Sequence, residues 1–475
     1  MRILTASDRA LLVEAADLDE AMRFHLAWDG VPGVVERIPG ARTVLVRFDP
    51  VRTSAVELAA ALEAIEVDGE HEQAAGEVVV PVHYDGEDLA EAAGLLGVSS
   101  EELVARHLSA NWRVAFSGFA PGFGYIVGDD PLFEVPRRSS PRTRVPAGSV
   151  ALAGAFTGVY PRESPGGWQL IGRTDAVMWD IDRDPPALLA PGTVVRFERA
   201  ARGSSSHPVA SETKRRERVE GTSAIEVVRP ALQLLIQDAG RPGHAALGVS
   251  ASGVADRTAM RDANRAVGND PAAAVLESVG AVTLRFHGDG VAAVTGAVGE
   301  IRLTDAAGLG RSIPHGIPFA TVDGDQLALA HPTRGMRYVL AVRGGADAAS
   351  ALGSVASDTL AGLGPAPLVA GDVIAIGDLA RGAVDPVAAE RDLPASGDLV
   401  DLTITLGPRD DWFTPAAIET LTTQEWLVTP RSDRVGIRIQ GEVALERARD
   451  GELPSEGAVT GAIQVPADGQ PVLFL

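Results

Sequence analysis

The sequence predicts a mainly β protein with a small α/β domain at its N-terminus. Two observations carry that expectation. Between residues 78 and 200, short apolar runs are broken every few residues by glycine and proline, the pattern of short strands joined by tight turns. The helices read from the sequence, by contrast, fall in the first 110 residues. With 475 residues, 45% of them apolar, the chain has room for three or four domains and a large buried core.

Residues 1–76 read as β-α-β-β-α, with the following strand completing a split βαβ unit. Ala10 to Glu14 is a strand candidate, and Asp17 is placed to cap a helix running to Trp28. Gly33 to Arg37 and Thr43 to Phe48 alternate like half-buried strands. Ser54 and Glu57 have capping-box spacing for a second helix, and Glu77 to His83 is the next strand. Residues 77–200 read as strands and turns around one helix near Ser99 to Leu108, with Ser99 and Glu102 as its capping pair; such regular turn signals suggest a closed barrel. Residues 201–222 are polar and mixed in charge, which predicts a flexible linker. The rest divides into 223–400, a first β-barrel lobe, and 401–475, a second.

Composition excludes several classes. A net charge of −22 argues against nucleic acid and anionic membrane surfaces as partners. Cysteine is absent, so there is no disulfide framework, thiolate zinc site or cysteine nucleophile. No N-terminal signal pattern and no run of 18 apolar residues appears, so a soluble cytoplasmic protein is expected. Lys214, in the linker, is the one lysine. A P-loop lysine, a Schiff-base lysine in a pocket and a biotin-carrying lysine are thereby excluded. Phosphate would have to be held by arginine, backbone amides or a metal.

One stretch concentrates unusual chemistry. Ser117-Gly-Phe-Ala-Pro-Gly-Phe-Gly-Tyr-Ile126 is followed by Val145-Pro-Ala-Gly-Ser149, Thr157-Gly-Val-Tyr-Pro161 and Ile171-Gly-Arg-Thr174. Glycine supplies positive φ and close backbone approach, and proline fixes φ. Interleaved with Phe119, Phe123, Tyr125, Tyr160 and Trp168, they form either a tightly turned barrel core or a site wall whose amides and Arg173 face an anion. A second motif set begins with Gln237-Asp-Ala-Gly-Arg-Pro-Gly243 and Gly248-Val-Ser-Ala-Ser-Gly253, then Asp256, Asn264 to Asn269 and Glu277. It continues through Leu352-Gly-Ser354, Ser357-Asp358, Gly407-Pro-Arg409, Ser432-Asp-Arg-Val-Gly436 and Ser455-Glu-Gly457.

The first set resembles the B-type component of the biotin-independent 5-oxoprolinases, also labelled KipI type or allophanate hydrolase subunit 1. The second resembles the C-type component, the KipA type or allophanate hydrolase subunit 2. Both are similar to parts of urea amidolyase, and together the matches cover nearly the whole chain. The resemblance implies cyclophilin-like β-barrels and a natural B/C fusion. The family usually continues beyond the position of Pro471 to Leu475 with a further strand and a Gly-Gly-Tyr-Pro turn, so the last lobe either closes differently or is cut short.

The activity implied is ATP-dependent opening of 5-oxo-L-proline to L-glutamate, with Mg²⁺ accompanying ATP. The partner it requires, the A-type 5-oxoprolinase component of LamB/YcsF type, has no counterpart in this chain. His107 is the candidate acid or base, and Asp238, Arg241 and Asp256 are the other candidate catalytic groups. Gly118, Phe119, Pro121, Gly122, Arg142, Arg173, Ser252, Gly253, Arg434 and Glu456 are candidate contacts to substrate or nucleotide. Arginine suits a phosphate or carboxylate, and hard carboxylate oxygens suit Mg²⁺; which residues would hold a metal is left open. Internal ion pairs, Asp238 with Arg241 and Asp433 with Arg434, are the competing reading of these charges. At the end of its helix His107 is expected to favour the protonated state. His107 and Arg173 are expected to share one cleft with Asp238, Arg241 and Asp256. A carboxyltransferase component of urea carboxylase and a non-enzymatic regulator that binds a histidine kinase are the alternative functions. The oligomeric state is open, a homo-oligomer included.

Overall fold

A computed structural model of the chain describes residues 1–67, 76–138, 140–200, 223–385, 391–451 and 453–475. The predicted linker, 201–222, lies outside the described residues. The chain folds as two compact units: residues 1–209 with 243–249 and 404–475, and residues 210–242 with 250–403. It is mainly β, as its turn-rich sequence predicts.

The first unit opens with a four-stranded antiparallel sheet in the order Arg2–Ser7, Ala10–Glu14, Thr43–Phe48, Val34–Pro39. Alternation gives this sheet two apolar faces. Leu11, Val13, Val44 and Val46 pack under α1 (Leu18–Ala27) and α2 (Ala55–Glu63), against Phe24, Trp28, Leu58 and Leu62. Ala10, Leu12 and Leu45 form a separate cluster on the other face, with Val459 packed on it. Both caps are those the sequence predicts. Asp17 accepts the Glu20 N–H at 2.8 Å, and Ser54 and Glu57 bond reciprocally as a capping box.

The strand Glu77–Val82 does not complete this domain. It pairs in parallel with Val194–Arg199 at the edge of a seven-stranded sheet, where Val80 and Val82 enter the core. That sheet runs Gln169–Arg173, Ser149–Ala153, Phe156–Val159, Gly124–Gly128, Trp112–Ser117, Val194–Arg199, Glu77–Val82. Its two ends meet where His83 and Arg173 exchange backbone hydrogen bonds of 2.8 and 2.9 Å, nearly closing a barrel. Two short helices, α3 (Leu89–Leu95) and α4 (Ser100–Ser109), contribute Ala92, Ala93 and Leu103 to its core. The C-terminal part of this unit holds α6 (Pro415–Thr423) and a sheet of Leu427–Val428, Gly436–Gln440, Val472–Phe474 and Ile463–Gln464.

The second unit has a seven-stranded and a five-stranded sheet whose apolar faces share one core, including Ile225, Leu276, Phe286, Val294 and Leu340. The other face of the five-stranded sheet is covered by α5 (Arg257–Val267), through Ala259, Met260, Ala263 and Val267 against Val275, Val339 and Ala341. No helix among the described residues is long and apolar enough to cross a membrane.

Candidate functional site

In the first unit the glycine-rich signature forms a tight turn between paired strands. Ser117 lies opposite Gly124, Gly118 donates to the Phe123 carbonyl at 3.2 Å, and Ala120 donates to Gly118 at 2.7 Å. Phe119 carries the strain, with φ +66°. A bulky residue in the left-handed region is a genuine outlier, and such outliers cluster at functional sites. Phe119 is 49% exposed, and its ring is held edge-on by Phe123 and Tyr160, with centroids 5.3 and 6.0 Å away. A Cβ on Gly122 would come within 2.8 Å of the Met178 carbonyl oxygen, so only glycine fits there.

A segment from the second motif set lies on this turn. Gly122 donates to the Leu247 carbonyl at 3.5 Å, and a Cβ on Gly248 would press into the Ala120 carbonyl. The largely buried Glu36 anchors the same segment by accepting the Ala245 N–H at 2.9 Å. Two motifs far apart in sequence thus meet within one unit.

The barrel takes His107 out of candidacy as an acid or base. The residue is fully buried. The Thr157 hydroxyl donates to the Ala151 carbonyl and accepts from His107 Nε2 at 3.0 Å, while Tyr84 OH donates to Nδ1 at 2.8 Å. In a neutral ring these roles place the proton on Nε2. Burial pushes its pKa down to about 3, which overturns the expectation of a helix-end imidazolium. No cleft can be lined by a ring inside the barrel core.

Arg142 and Arg173, the candidate arginines of the barrel, are also engaged. Arg142 grips Asp88 through two bonds of 2.8 and 2.7 Å, and Arg138 adds a third of 2.8 Å. Burial alone would raise the Asp88 carboxyl; Arg142, the Leu170 N–H and Arg138 together hold it below the usual range. Arg173 pairs with Asp85 at 3.0 Å where both side chains are half exposed. Glu456 accepts from Arg409 Nε at 3.1 and 3.0 Å, and Arg409 also binds Glu14. Arg434 sits in the turn before Gly436–Gln440, and its neighbour Asp433 accepts the Val435 and Gly436 N–H groups at 2.8 and 3.0 Å.

In the second unit two strained turns lie back to back. Gly240 and Gly253 have φ +87° and +93°, and Ser252, between Ala251 and Gly253, has φ +53°. Arg241 N–H donates to the Ala251 carbonyl at 2.6 Å and Val254 N–H to the Asp238 carbonyl at 2.9 Å. Asp238 accepts from the Ser354 hydroxyl at 2.6 Å, Val355 N–H at 2.8 Å and Gly240 N–H at 2.8 Å. Arg241 is only 2% exposed and donates to the Ala351 and Ala356 carbonyls at 3.1 and 2.5 Å. Burial lowers its pKa, opposed by Asp358 and Asp238. Arg241 is therefore a buried clamp on residues 351–356. Instead of a direct bond between Asp238 and Arg241, both residues hold the same loop.

Asp256 caps α5 through the Ala259 N–H at 2.8 Å and pairs with Arg391 at 2.6 Å. Sequence reasoning missed several supports of these turns. Asp358 accepts from the Ser250 hydroxyl at 2.8 Å, and Glu277, 1% exposed, accepts the Ala255 N–H at 2.7 Å with Arg337 3.6 Å away. Asp358 and Glu277 both stand in the recognised motifs; their partners lie too far along the chain for spacing to reveal. Among the described residues no group of three or more His, Asp or Glu side chains is arranged to hold a metal ion.

Residues 1–189 match the family model of carboxyltransferase domain subdomains C and D, and residues 247–475 match that of subdomains A and B. The chain is 41% identical over 174 residues to the B subunit of 5-oxoprolinase from Escherichia coli O157:H7, covering 35% of this chain and 78% of that protein. It is 34% identical over 255 residues to the C subunit of 5-oxoprolinase from Escherichia coli K12, covering 53% and 79%. Urea amidolyase of Saccharomyces cerevisiae is 30% identical over 235 residues, 46% of this chain and 12% of that one. The crystal structure of TTHA0988 superposes with a TM-score of 0.79 at 32% identity, covering 98% of this chain and 92% of that one. The chain belongs to the carboxyltransferase-domain family that includes the B and C subunits of 5-oxoprolinase, and it carries the two types fused in one polypeptide.

Proposed function

We propose that the protein is the fused B/C component of an ATP-dependent 5-oxoprolinase that opens 5-oxo-L-proline to L-glutamate together with a separate A-type component of LamB/YcsF type. The observation that carries this reading is the end-to-end arrangement of the two relatives on one chain, the B type on the first half and the C type on the second. A cytoplasmic location is part of this proposal.

In the reaction proposed, the lactam oxygen takes the γ-phosphoryl group of ATP and ADP leaves. Water then attacks the ring carbon, the C–N bond opens with the nitrogen taking a proton, and the resulting acyl phosphate is hydrolysed by a second water, so that phosphate departs and a carboxylate remains. The ring amide is resonance-stabilised, which is why its oxygen must first become a leaving group. Mg²⁺ would arrive with the nucleotide, and no step is routed through a metal held by this chain. With His107, Asp238, Arg241 and Arg142 occupied within the fold, the contacts proposed for substrate or nucleotide are, each unit taken by itself, the turn of Gly118, Phe119, Pro121 and Gly122 in the first and Ser252 with Gly253 in the second. Arg173, half exposed and singly paired, is the arginine proposed for an anionic group.

The test measures phosphate and glutamate separately, with 5-oxoproline and ATP, in the presence and absence of the LamB/YcsF-type partner. Slow ATP hydrolysis by this chain, raised by 5-oxoproline, with glutamate formed only on adding the partner, is the expected result. Stoichiometric glutamate from this chain alone would remove the partner requirement. Turnover stimulated by urea and a biotinylated carrier would favour the urea carboxylase reading, which the similarity to urea amidolyase keeps in view.

A further inference from the structure

At one end of the two-sheet core of the second unit the apolar filling stops short. Side chains alternate along a strand, so every second residue faces the core. From the seven-stranded sheet Ile225, Phe286 and Ile374 point inward, and from the five-stranded sheet Ala292, Phe319 and Leu340. The next inward positions beyond these are, in turn, Ser223, Gly288, Ile376, Gly290, Thr321 and Val342. Most of that last layer is small, and the sheets leave a cavity of about 290 Å³ where large apolar side chains would otherwise meet. Phe286, Val342 and Ile376 give it an apolar floor.

Two hydroxyls line this space from facing sheets. Thr321 is 3% exposed, and a Cβ on Gly290 would meet its hydroxyl oxygen at 3.2 Å and nothing else within 4 Å. The Ser223 hydroxyl lies 2.9 Å from the position of a Cβ on Gly288. Neither hydroxyl has a hydrogen-bond partner among the described residues. Of the two charged residues in the lining, Arg343 sends Nη1 to the Val267 and Gly382 carbonyls at 2.7 and 3.0 Å, and Asp289 is exposed in the turn between Gly288 and Gly290. A charged group laid on the apolar floor would lose its hydration without gaining a counter-ion there.

We infer that this end of the sandwich binds a small uncharged molecule, of about four or five carbons with one hydroxyl or amide. The apolar body rests on Phe286, Val342 and Ile376. The polar group accepts from one of the two protein hydroxyls and donates to the other, which an alcohol or an amide can do and a ketone cannot. The site lies wholly within the second unit, and the inference rests on no part of the reaction proposed above.

The test follows the isoleucine and valine methyl groups of the full chain by carbon-13 NMR, with cyclopentanol and pyrrolidin-2-one as probes. Saturable shifts of the Ile376 and Val342 methyl signals are expected, with a Kd of about 1–10 mM. Cyclopentanone, which only accepts, should bind at least threefold more weakly than cyclopentanol. The same holds for 5-oxo-L-proline, the pyrrolidinone ring with a carboxylate, against pyrrolidin-2-one. Gly290→Val fills the cavity and should abolish the shifts. Thr321→Val keeps the shape without the hydroxyl, Ser223→Ala removes the hydroxyl opposite, and each should weaken cyclopentanol at least threefold. Melting curves of the three variants show that they fold. The inference is overturned if the Ile376 and Val342 signals stay put under both probes, if either control binds as tightly as its counterpart, or if affinity is undiminished in Thr321→Val and Ser223→Ala.

Discussion

At the scale of single residues, position in a motif does not decide role. His107 shows the reason. It sits four residues after Leu103 and three after Val104, both buried, so it lies on the inward stripe of α4. That periodicity is present in the sequence and outweighs its place near a signature. The ring is expected to remain neutral, with its proton on Nε2, from pH 8 to pH 5 in nitrogen-15 NMR. Its pKa in the folded protein, about 3, lies below the unfolded value of 6.5. Between those values the unfolded chain binds a proton that the folded one does not. This contribution to stability is therefore complete above pH 6.5 and is lost as pH falls towards 3, at up to about 1.4 kcal/mol per pH unit. Replacing His107 by Gln should flatten the acid limb of a denaturation series by about one proton; an unchanged slope would mean that the ring titrates normally.

Arg241 follows the same logic in the second unit. Its guanidinium holds the carbonyls of Ala351 and Ala356 together, and it is buried almost completely. Arg241→Ala is expected to destabilise the protein by about 2–4 kcal/mol, from orphaned acceptors and a cavity. Arg241→Lys should rescue little, because an ammonium cannot reproduce the planar fork. Thermal melts of the two variants check this, and a wild-type melting curve for Arg241→Ala would refute the clamp.

At the scale of elements, local chemistry is readable and long-range pairing is not. Asp17, Ser54 and Ser99 cap their helices as their spacing predicts, since a cap needs only a neighbour three residues on. The strand Glu77–Val82 is also readable as a strand. Its partner, Val194–Arg199, lies beyond the whole barrel in sequence, and no local pattern points to it. The signature turn is legible for a different reason: dense glycine and proline mark a constrained backbone whatever its partner. Which segment lies on it is hidden, and Gly248 supplies a test. With φ +74° and the Ala120 carbonyl against its α-carbon, Gly248→Ala combines backbone strain with overpacking. A loss of about 2 kcal/mol or more is expected in urea denaturation. By contrast, Gly243→Ala, where nothing lies within 4 Å of the added carbon but φ is +93°, carries the strain alone and should cost less. Equal costs would mean that the turn does not feel the segment.

At the scale of the whole molecule, chain order and spatial order disagree. The ion pair that ties Arg409 to Glu14 joins residues 395 apart in sequence, a separation across which neither spacing nor composition carries information. In the sequence the strands of the N-terminal sheet read as half-buried, which leaves open what covers the face that carries Ala10, Leu12 and Leu45, with Leu4, Ala6 and Ile38 packed against them. In the folded unit Ala10, Leu12 and Leu45 are at most 1% exposed. A chain ended at residue 403 would uncover that face, strip Glu14 of Arg409 and leave the Ala41 N–H without the Ser455 carbonyl. Burial of apolar area stabilises by about 25 cal/mol per Å², so uncovering several such side chains removes a few kcal/mol from a margin that is itself small. The truncated chain is therefore expected to bind a hydrophobic dye and to melt at lower temperature in its N-terminal unit, with Trp28 fluorescence as the reporter. Cleavage between residues 210 and 211 of the intact chain should do neither. If truncation at 403 left dye binding and melting unchanged, the C-terminal residues would be an appendage and the two-segment construction of the first unit would be wrong.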